Sequence, residues 1–342
     1  MASDLTAGAI RDKALAFGYD DCGIIPVSDL RDYADRLAER IERFPEMRGF
    51  ERFMEYAFPD RQFPWAKSVV VCAGWYGRYR LPVNLKDRIG KSFLVDIRSE
   101  PRSSGRQAGE RLEAFLREGG LQTAGDCLYG LAPLRWAAMK AGLGIIRKNN
   151  FFYTERGSWV WLEAWLIDAR LELRQTRAAA PCSKSCALCL EACPTGALTE
   201  AYAMNAPMCV ALRTTKMAAH PDDPLSKQLG NWLYGCDACQ DACPHNRDAW
   251  AEDEDFPGLE EMAEGLSPEV LVNAEYGWLR ERLSERLFYI GPGELWKWKV
   301  NALNAMRNNW LETYRPAVER ARRDESEQVR ALAEAILNPG FS

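Results

Sequence analysis

Two cysteine runs dominate this sequence: Cys182-Ser-Lys-Ser-Cys186-Ala-Leu-Cys189-Leu-Glu-Ala-Cys193-Pro194 and Cys236-Asp-Ala-Cys239-Gln-Asp-Ala-Cys243-Pro244. Cys209 stands between them, so eight of the eleven cysteines fall within about sixty residues. Thiolates are the ligands of zinc ions and of iron–sulfur clusters, and this density of them predicts a metal site. The fold of the whole chain has to accommodate that site.

The two runs share one ending, C-x2-C-x3-C-P, which is typical of bacterial two-cluster ferredoxins. In that arrangement the cysteine before the proline ligates the cluster of the other half, so the crossing holds the two halves together. Two [4Fe–4S] clusters need eight thiolates, and eight are present. The rule predicts two ligand sets: Cys182, Cys186, Cys189 and Cys243 for one cluster, and Cys193, Cys209, Cys236 and Cys239 for the other.

Zinc and disulfides are weaker explanations of these cysteines. Structural zinc sites use C-x2-4-C pairs, which give no reason for the repeated C-P ending. The segment from Met1 to Asp21 has the pattern of a charged amphipathic helix without the apolar region of a signal peptide. We therefore expect a reducing, cytoplasmic location, in which disulfides are rare. The isolated Cys22, Cys72 and Cys127 are predicted to be small buried hydrophobic residues.

Composition limits the class of protein. The chain has 342 residues, enough for two or three domains with their own cores. It is 47% hydrophobic and 27% charged, and no apolar run approaches the ~18 residues of a membrane span, so we expect no membrane partner. The net charge of −5 predicts no general attraction to nucleic acid or anionic lipid. Twelve Trp, twelve Tyr and thirteen Phe favour aromatic walls for a planar cofactor or a stacked base, although core filling also accounts for them.

The first 172 residues have alternating helix and strand patterns, which predict an α+β or α/β domain with helices packed on a sheet. The predicted strands are Cys22–Val27, Lys67–Trp75 and Trp159–Ala169, the second of them a β-branched run typical of a buried central strand. The predicted helices are 5–17 closed by Gly18, Asp29–Phe44 with Ser28 as its N-cap, Gly105–Leu116, and Pro133–Ala141.

Two linkers predict three domains. Glu172–Pro181 leads into the cysteine runs, and the acidic stretch beginning at Ala251 leads out of them. The domains are therefore expected at residues 1–172, 173–250 and 251–342. In the last of these, the spacing of Val300–Met306 and of Val329–Ala335 resembles two helices of a HEAT-type repeat. So few repeats cannot stand alone, which predicts a C-terminal cap packed on the rest of the protein, with a partner-binding face as the alternative.

Several short sequences along the chain resemble one enzyme family. They are Ala141-Gly-Leu-Gly144, Lys148-Asn149, Gly157-Ser-Trp159, Cys193-Pro-Thr-Gly-Ala197 and Tyr234–Pro244, together with Arg52–Tyr56 and Ala66–Val70. In this combination they are similar to the epoxyqueuosine reductases, enzymes related to the reductive dehalogenases. The resemblance implies an N-terminal α/β cobalamin-binding domain, a ferredoxin-like domain with two [4Fe–4S] clusters, and a helical HEAT-like cap.

The resemblance also implies contacts with cobalamin. The implied residues are Gly142, Gly144, Arg147, Lys148, Asn149 and Ser158. Glycines would allow close backbone approach to the corrin, and Arg147 or Lys148 would meet its phosphate, a solvated surface turn being the alternative. The chain has two histidines, His220 and His245, and no D-x-H-x-x-G sequence, which favours a base-off cobalamin. The set with Cys193 would face the electron donor, and the set with Cys182 would lie nearer the corrin.

The chain departs from the family pattern at three points. The first cysteine gap is C-x3-C, one residue longer than is usual in the family. The stretch Tyr129–Pro133 lacks the family's aspartate, for which Asp126 is the nearest substitute, and Val95–Ser99 lacks the family's Tyr and His. The catalytic candidates are therefore Asp126 and Tyr129, with Tyr153 and Glu163 as further proton donors. The lost polar groups predict a substrate other than epoxyqueuosine, and a smaller one.

Two functions from different classes are consistent with these features. The first is a monomeric, cobalamin-dependent iron–sulfur reductase that takes electrons from a low-potential ferredoxin or flavodoxin. Its substrate would be a small molecule or a group carried on tRNA, with epoxyqueuosine the leading named compound. The second is an electron carrier or reductive activator for another corrinoid protein. The large domain before Leu173 favours the enzyme, because a carrier would not need it.

Overall fold

The computed structural model describes residues 5–176, 179–217 and 223–338. Arg177 and Ala178 of the predicted linker and His220 lie outside the described residues, as do the first four and the last four residues. Within the described part, no helix combines the length and the apolar character needed to cross a bilayer.

The central sheet has four strands in the order β1-β2-β6-β3, and every neighbouring pair is antiparallel. Two smaller sheets pair β4 with β5 and β7 with β8. The strands are β1 Asp21–Pro26, β2 Ser68–Trp75, β3 Thr123–Gly125, β4 Ile145–Ile146, β5 Phe152–Tyr153, β6 Val160–Ile167, β7 Leu198–Glu200 and β8 Ala203–Met204. The long predicted strands are therefore present, and the antiparallel pairing makes the arrangement α+β.

Helices precede, interrupt and follow these strands. The α-helices are α1 Ala7–Phe17, α2 Asp32–Arg43, α3 Pro59–Gln62, α4 Lys91–Leu94, α5 Ser104–Glu118, α6 Leu134–Lys140, α7 Leu188–Glu191, α8 Val210–Thr215, α9 Ala238–Asp241, α10 Leu259–Ala263, α11 Pro268–Asn273, α12 Tyr276–Leu283, α13 Trp296–Asn308, α14 Arg315–Ala321 and α15 Glu327–Leu337. The 3₁₀ helices are Val27–Leu30, Pro45–Ala57, Val83–Leu85, Ala206–Met208, Ser226–Leu229, Pro244–Asn246 and Glu312–Tyr314.

Strand β2 is the buried centre of the sheet, as its β-branched sequence predicts. Successive side chains of a strand point to opposite faces. Val70 accordingly packs with α1 and α5, whereas Val69 and Val71 pack with α6. Because helices cover both faces of the sheet, the sheet can be apolar on both sides.

One helix end is predicted correctly and another is not. Gly18 closes α1 in the left-handed conformation, with φ 112°, where a glycine has no steric penalty. Ser28, by contrast, lies inside the 3₁₀ helix Val27–Leu30 and does not cap α2. Its hydroxyl lies 3.5 Å from the Asp29 carboxylate instead of reaching a backbone amide. The helix therefore starts three residues later than predicted, at Asp32.

Helix α13 is the axis of the C-terminal region. All its residues from Lys297 to Met306 are buried, and a helix that is enclosed on all sides belongs to a core. Its Trp298 ring stacks on Tyr234 with centroids 5.0 Å apart. Asn301 donates from Nδ2 to the carbonyls of Thr214 and Leu233, at 2.8 and 2.9 Å. The C-terminal helices thus brace the chain between the two cysteine runs, and the HEAT-type repeat and the domain boundaries stay predictions.

Glu163 carries a pH dependence of stability. It lies on β6 under α5, where Tyr19 donates a 2.5 Å hydrogen bond to its Oε2, and burial raises its pKa from the ordinary 4.5 to about 7. Between these values the folded protein binds a proton that the unfolded chain does not, so stability falls as pH rises through this window and stays reduced above it. We expect Glu163→Gln to be more stable than wild type by roughly 2–3 kcal/mol at pH 8, and by much less at pH 5, in thermal unfolding.

Glu118→Gln, at the exposed end of α5, is the matched control and should leave both unfolding curves unchanged. An equal effect of Glu163→Gln at the two pH values would contradict the assignment. Because Glu163 supports the sheet from beneath α5, it serves the core and is not placed as a proton donor.

Candidate active site and cluster-binding region

Eight cysteine thiols fall into two groups of four. Burial raises the pKa of Cys189, and the nearby thiols of Cys243, Cys182 and Cys186 raise it further, in that order. These four residues are the first predicted ligand set, and we refer to them as the first thiol group. Cys243 comes from the second cysteine run, so the thiols near Cys189 are those that the crossing rule groups together, and their ligation of one cluster stays a prediction.

The second thiol group consists of Cys193, Cys209, Cys236 and Cys239. Burial raises the pKa of Cys239 well above the ordinary range, and Cys236, Cys209 and Cys193 add to the effect. Burial likewise raises the pKa of Cys209, and the nearby thiol of Cys193 raises it further. Thiols in such surroundings stay protonated unless a metal binds the sulfur and displaces the proton. The donor chemistry therefore fits two clusters, each with four sulfur ligands.

The loop from Gly142 to Asn150 connects the sheet to the first thiol group. Lys148 Nζ donates to three carbonyls of that region, those of Ser183, Lys184 and Cys186, at 2.8, 3.0 and 2.8 Å. Arg147 is 3% exposed, and its Nη1 lies 3.7 Å from Cys182 Sγ. Both side chains thus hold the segment between Cys182 and Cys186, the first cysteine gap. The sequence predicted that these two side chains would contact a cofactor phosphate.

The glycines of this loop lie close to protein backbone. The sequence predicted that they would lie close to a cofactor. Gly142 has φ +76°, and a Cβ at this position would lie 1.9 Å from the carbonyl oxygen of Gln175. A Cβ on Gly144 would lie 2.1 Å from the carbonyl oxygen of Tyr153. Only glycine permits these two contacts, so packing of the chain against itself is sufficient to explain both residues.

Asn149 and Ser158 join the sheet to the second cysteine run. Asn149 donates from Nδ2 to Tyr153 Oη at 2.8 Å and to the Cys239 carbonyl at 3.1 Å. Ser158 Oγ donates to Gln240 Oε1 at 2.9 Å and accepts from Asn246 Nδ2 at 2.7 Å. A buried network whose members are all satisfied fixes the relative position of the elements that it joins. Both residues are therefore positioned to support the cluster region.

Asp126 and Tyr129 lie together at the surface, at the start of the loop that precedes α6. Asp126 Oδ1 accepts hydrogen bonds from the backbone amides of Leu128 and Tyr129, at 2.8 and 3.2 Å. This is an Asx turn, which fixes the loop and leaves Oδ2 as the carboxylate atom able to hold a proton. Tyr129 is 53% exposed, and its ring meets the edge of Phe288 with centroids 6.4 Å apart.

Two further tyrosines complete this surface, and we call Tyr56, Tyr129, Phe288 and Tyr289 the tyrosine cluster. Burial raises the pKa of Tyr56, and so, in smaller measure, do the charge of Asp126 and the hydroxyls of Tyr129 and Tyr289. Phe288 stacks on Tyr289 with centroids 4.9 Å apart. Residues from three parts of the chain therefore form the tyrosine cluster, and Tyr56 lies near the Asp126 carboxylate.

Arg98 ties the Asp126 loop to the C-terminal region. It forms a forked ion pair with Asp96 and donates from Nη1 to the Leu128 carbonyl at 2.9 Å and to Tyr289 Oη at 3.0 Å. Its guanidinium also lies over the rings of Phe288 and Tyr289. Asp96 and Arg98 belong to the stretch Val95–Ser99, where the family has Tyr and His, so this chain fills that place with an internal ion pair. Sequence reasoning recognised the substitution but missed Arg98, Tyr56 and Tyr289.

The second thiol group is connected to the tyrosine cluster by packing. A Cβ on Gly235, next to Cys236, would lie 2.3 Å from the Phe93 ring, and that ring meets the edge of Tyr289 with centroids 5.8 Å apart. The first thiol group is bordered by the exposed residues Ser183–Ser185. These contacts connect the second thiol group to the tyrosine cluster, and which group lies nearer the corrin stays a prediction.

Other candidates lie elsewhere. The Tyr153 hydroxyl is buried and accepts the Asn149 bond, so it belongs to the cluster support. Cys22 and Cys72 are buried and face each other across β1 and β2, as predicted for small hydrophobic residues. Cys127 is exposed, because it follows Asp126 in a surface loop, and the prediction of burial was wrong there. His245 is exposed beside the Cys243-Pro244 turn.

Comparison with known proteins agrees with this geometry. Residues 182–246 match the model of a 4Fe-4S double cluster binding domain. An epoxyqueuosine reductase of Bacillus subtilis (strain 168) is 31% identical over 249 residues, 69% of this chain and 62% of that protein. One from Cellulophaga algicola is 27% identical over 255 residues, 70% of this chain and 78% of its own length. A crystal structure of epoxyqueuosine reductase with an epoxyqueuosine-modified tRNA-Tyr stem loop superposes with a TM-score of 0.79 at 26% identity, covering 95% of this chain and 88% of that one.

The α+β fold and the double cluster domain together define an iron–sulfur oxidoreductase. Over about 70% of its sequence, and almost from end to end in its fold, the chain is more particularly similar to the epoxyqueuosine reductases.

Proposed function

We propose that this protein is a cobalamin-dependent reductase that passes low-potential electrons through two [4Fe–4S] clusters to an organic substrate other than epoxyqueuosine. The observation that carries the proposal is the sorting of eight thiols into two groups of four, connected by packing to a surface acid. A protein that only carried electrons would need the clusters but not the Asp126 surface. We infer a cytoplasmic, monomeric enzyme, since unpaired thiols persist in reducing surroundings.

The residues of the Gly142–Asn150 loop can hold a corrinoid. Arg147 Nε and Asn150 Nδ2 are buried donors on this loop with no hydrogen-bond partner among the described residues. A corrinoid carries amide and phosphate acceptors that such donors bind. When bound in its base-off form, the cofactor supplies a strongly reducing cobalt for one-electron or nucleophilic chemistry. His245 is the one histidine of the described part, and it lies at an exposed turn, which supports a cobalt without a protein ligand.

The protein's own residues supply binding and protons. Asp126 Oδ2 would deliver the proton to the reduced substrate, held in place by the Asx turn of its Oδ1. The tyrosine cluster would bind the substrate with its rings and hydroxyls, and Arg98 would keep Tyr289 and the Asp126 loop in register. The internal pairing of Asp96 with Arg98 supports a different substrate, because neither side chain is free to bind a polar ribosyl derivative.

Electrons would reach the first thiol group, which the Gly142–Asn150 loop contacts, before they pass to a corrinoid held by that loop. A ferredoxin or flavodoxin can approach the exposed Ser183–Ser185 loop and the side chain of Leu188, which is 45% exposed. A pocket of about 370 Å³ opens on the same side, next to Cys243, and Lys91 and Arg247 are among its lining residues. Lys91 is paired with Asp241, so Arg247 is the residue of this pocket whose charge would attract the acidic surface of such a donor.

Electron paramagnetic resonance of the Co(II) form tests the proposal. We expect anaerobically reconstituted protein to bind cob(II)alamin and to give a spectrum without nitrogen superhyperfine splitting, since no base coordinates the cobalt. Free cob(II)alamin in the same buffer is the control, because its own base produces that splitting. Splitting in the bound form, or the absence of cobalamin binding, would favour the electron-carrier alternative.

A further inference from the structure

Two arginines from different helices converge on Asn150. Arg40 of α2 donates from Nη2 to Asn150 Oδ1 at 2.8 Å and to the Tyr202 carbonyl at 3.2 Å. Arg135 of α6 donates from Nη1 to the Asn150 carbonyl at 2.5 Å. Each guanidinium has five N–H donors, so these bonds leave most of its donors unused. Two positive charges thus lie close together around one residue.

Neither arginine forms an ion pair with a carboxylate among the residues that the structure describes. Other arginines of the same helix do: Arg36 pairs with Glu39 at 3.0 Å, and Arg43 pairs with Glu200. Burial lowers the pKa of Arg40, and the charge of Arg135 lowers it further. The repulsion between the two guanidinium groups is therefore not offset by an acidic side chain of the described chain.

Asn150 adds a third donor at the same place. Its backbone has φ 64°, and the residue is 7% exposed. Because Oδ1 faces Arg40, Nδ2 is the donor end of the amide, and it has no hydrogen-bond partner among the described residues. A buried amide without an acceptor is unfavourable, and an anion at this point would satisfy it together with both arginines.

We propose that Arg40, Arg135 and Asn150 form a binding site for a phosphodiester anion. Planar guanidinium groups bind phosphate oxygens in pairs, and an amide N–H accompanies them well. The identity of the anion rests on the proposed function, because the corrinoid that this function supplies carries a phosphodiester in its nucleotide tail. An RNA strand, the other source of the same group, is an outcome of the test. Tyr33 lies beside both arginines and Tyr56, which connects the site to the tyrosine cluster.

Binding by anaerobic, cluster-reconstituted protein tests the site with Arg40→Gln and Arg135→Gln. Each variant should bind cob(II)alamin roughly tenfold or more weakly in titration calorimetry, since it loses a charge-assisted bond. Binding of cobinamide, which lacks the nucleotide phosphate, should not change. Arg36→Gln, one turn earlier on α2 and paired with Glu39, is the matched control. This pattern supports the site and assigns its anion to the corrinoid.

The other outcomes are equally informative. If cobalamin affinity is unchanged while affinity for a tRNA stem loop falls and its salt slope decreases by about one per variant, the phosphodiester is that of RNA. Equal losses for cobalamin and cobinamide, or unchanged binding of both cobalamin and RNA, would overturn the site. If wild type binds neither ligand, the proposed function fails. Inorganic phosphate then decides the site alone: it should raise the melting temperature of wild type but not of the variants, and equal shifts would refute it.

Discussion

Changing Cys209 to Ser is expected to remove one of two clusters and to lower the iron content from about eight to about four atoms per chain. The second thiol group would keep only three sulfur ligands, while the first is untouched because it shares no cysteine with Cys209. Iron and acid-labile sulfide analysis, with electron paramagnetic resonance of the reduced protein, measures this. Cys127→Ser, an exposed cysteine outside both groups, should retain all the iron.

The crossing between the halves also predicts which of the two clusters each cysteine variant retains. Cys193→Ser should leave the same surviving spectrum as Cys209→Ser, whereas Cys243→Ser should leave the other one. A chain that used its cysteines in sequential order would instead pair Cys243 with Cys209. Matching spectra for the Cys243 and Cys209 variants would therefore contradict the grouping of thiols described here.

The reduced, cobalamin-loaded protein is expected to form queuosine from epoxyqueuosine-containing tRNA slowly, roughly 10²- to 10⁴-fold below a relative that has the family's acid. The reason is that Val95–Ser99 lacks the family's Tyr and His and places the Asp96–Arg98 pair there, and that Tyr129–Pro133 contains no aspartate. A site that has lost polar partners also loses discrimination for a polar substrate. The Bacillus subtilis relative in the same assay provides the reference rate.

Asp126→Asn distinguishes a changed substrate from a relocated acid. Asn can still accept the two amide bonds of the Asx turn through Oδ1, so the loop should keep its shape while the proton is lost. Rapid conversion of epoxyqueuosine by wild type that collapses in this variant would show that Asp126 has taken over the donor role. We expect the wild-type protein to show intact reduction of its clusters and cobalt and to form little queuosine.

Most of the cluster region can be predicted from the sequence, because metal ligation imposes local spacing on the cysteines. Cys236 and Cys239 stand at the interval that ligands of one cluster require, and the Cys243-Pro244 ending indicates the crossing to the other. Strand β2 is similarly evident, since a strand buried on both faces has to be apolar throughout. Both features depend on residues that are neighbours in the chain, which is why their pattern survives in one sequence.

The rest of the candidate site depends on contacts between distant residues. Arg98 and Tyr289 are 191 positions apart, and no local sequence pattern around either residue predicts the hydrogen bond between them. The glycines at 142 and 144 also lie against the backbone of Gln175 and Tyr153, contacts that no local pattern predicts. The start of α2 was misplaced because Ser28 has the composition of a cap while the 3₁₀ turn sets the geometry. Tertiary packing overrides local propensity in each of these cases.

Iron and acid-labile sulfide in anaerobically purified protein test the central claim most directly, with Mössbauer spectroscopy identifying the cluster type. The two groups of four thiols predict about eight iron and about eight sulfide per chain, all in [4Fe–4S] clusters. About four iron atoms per chain, or stoichiometric zinc, would contradict the account.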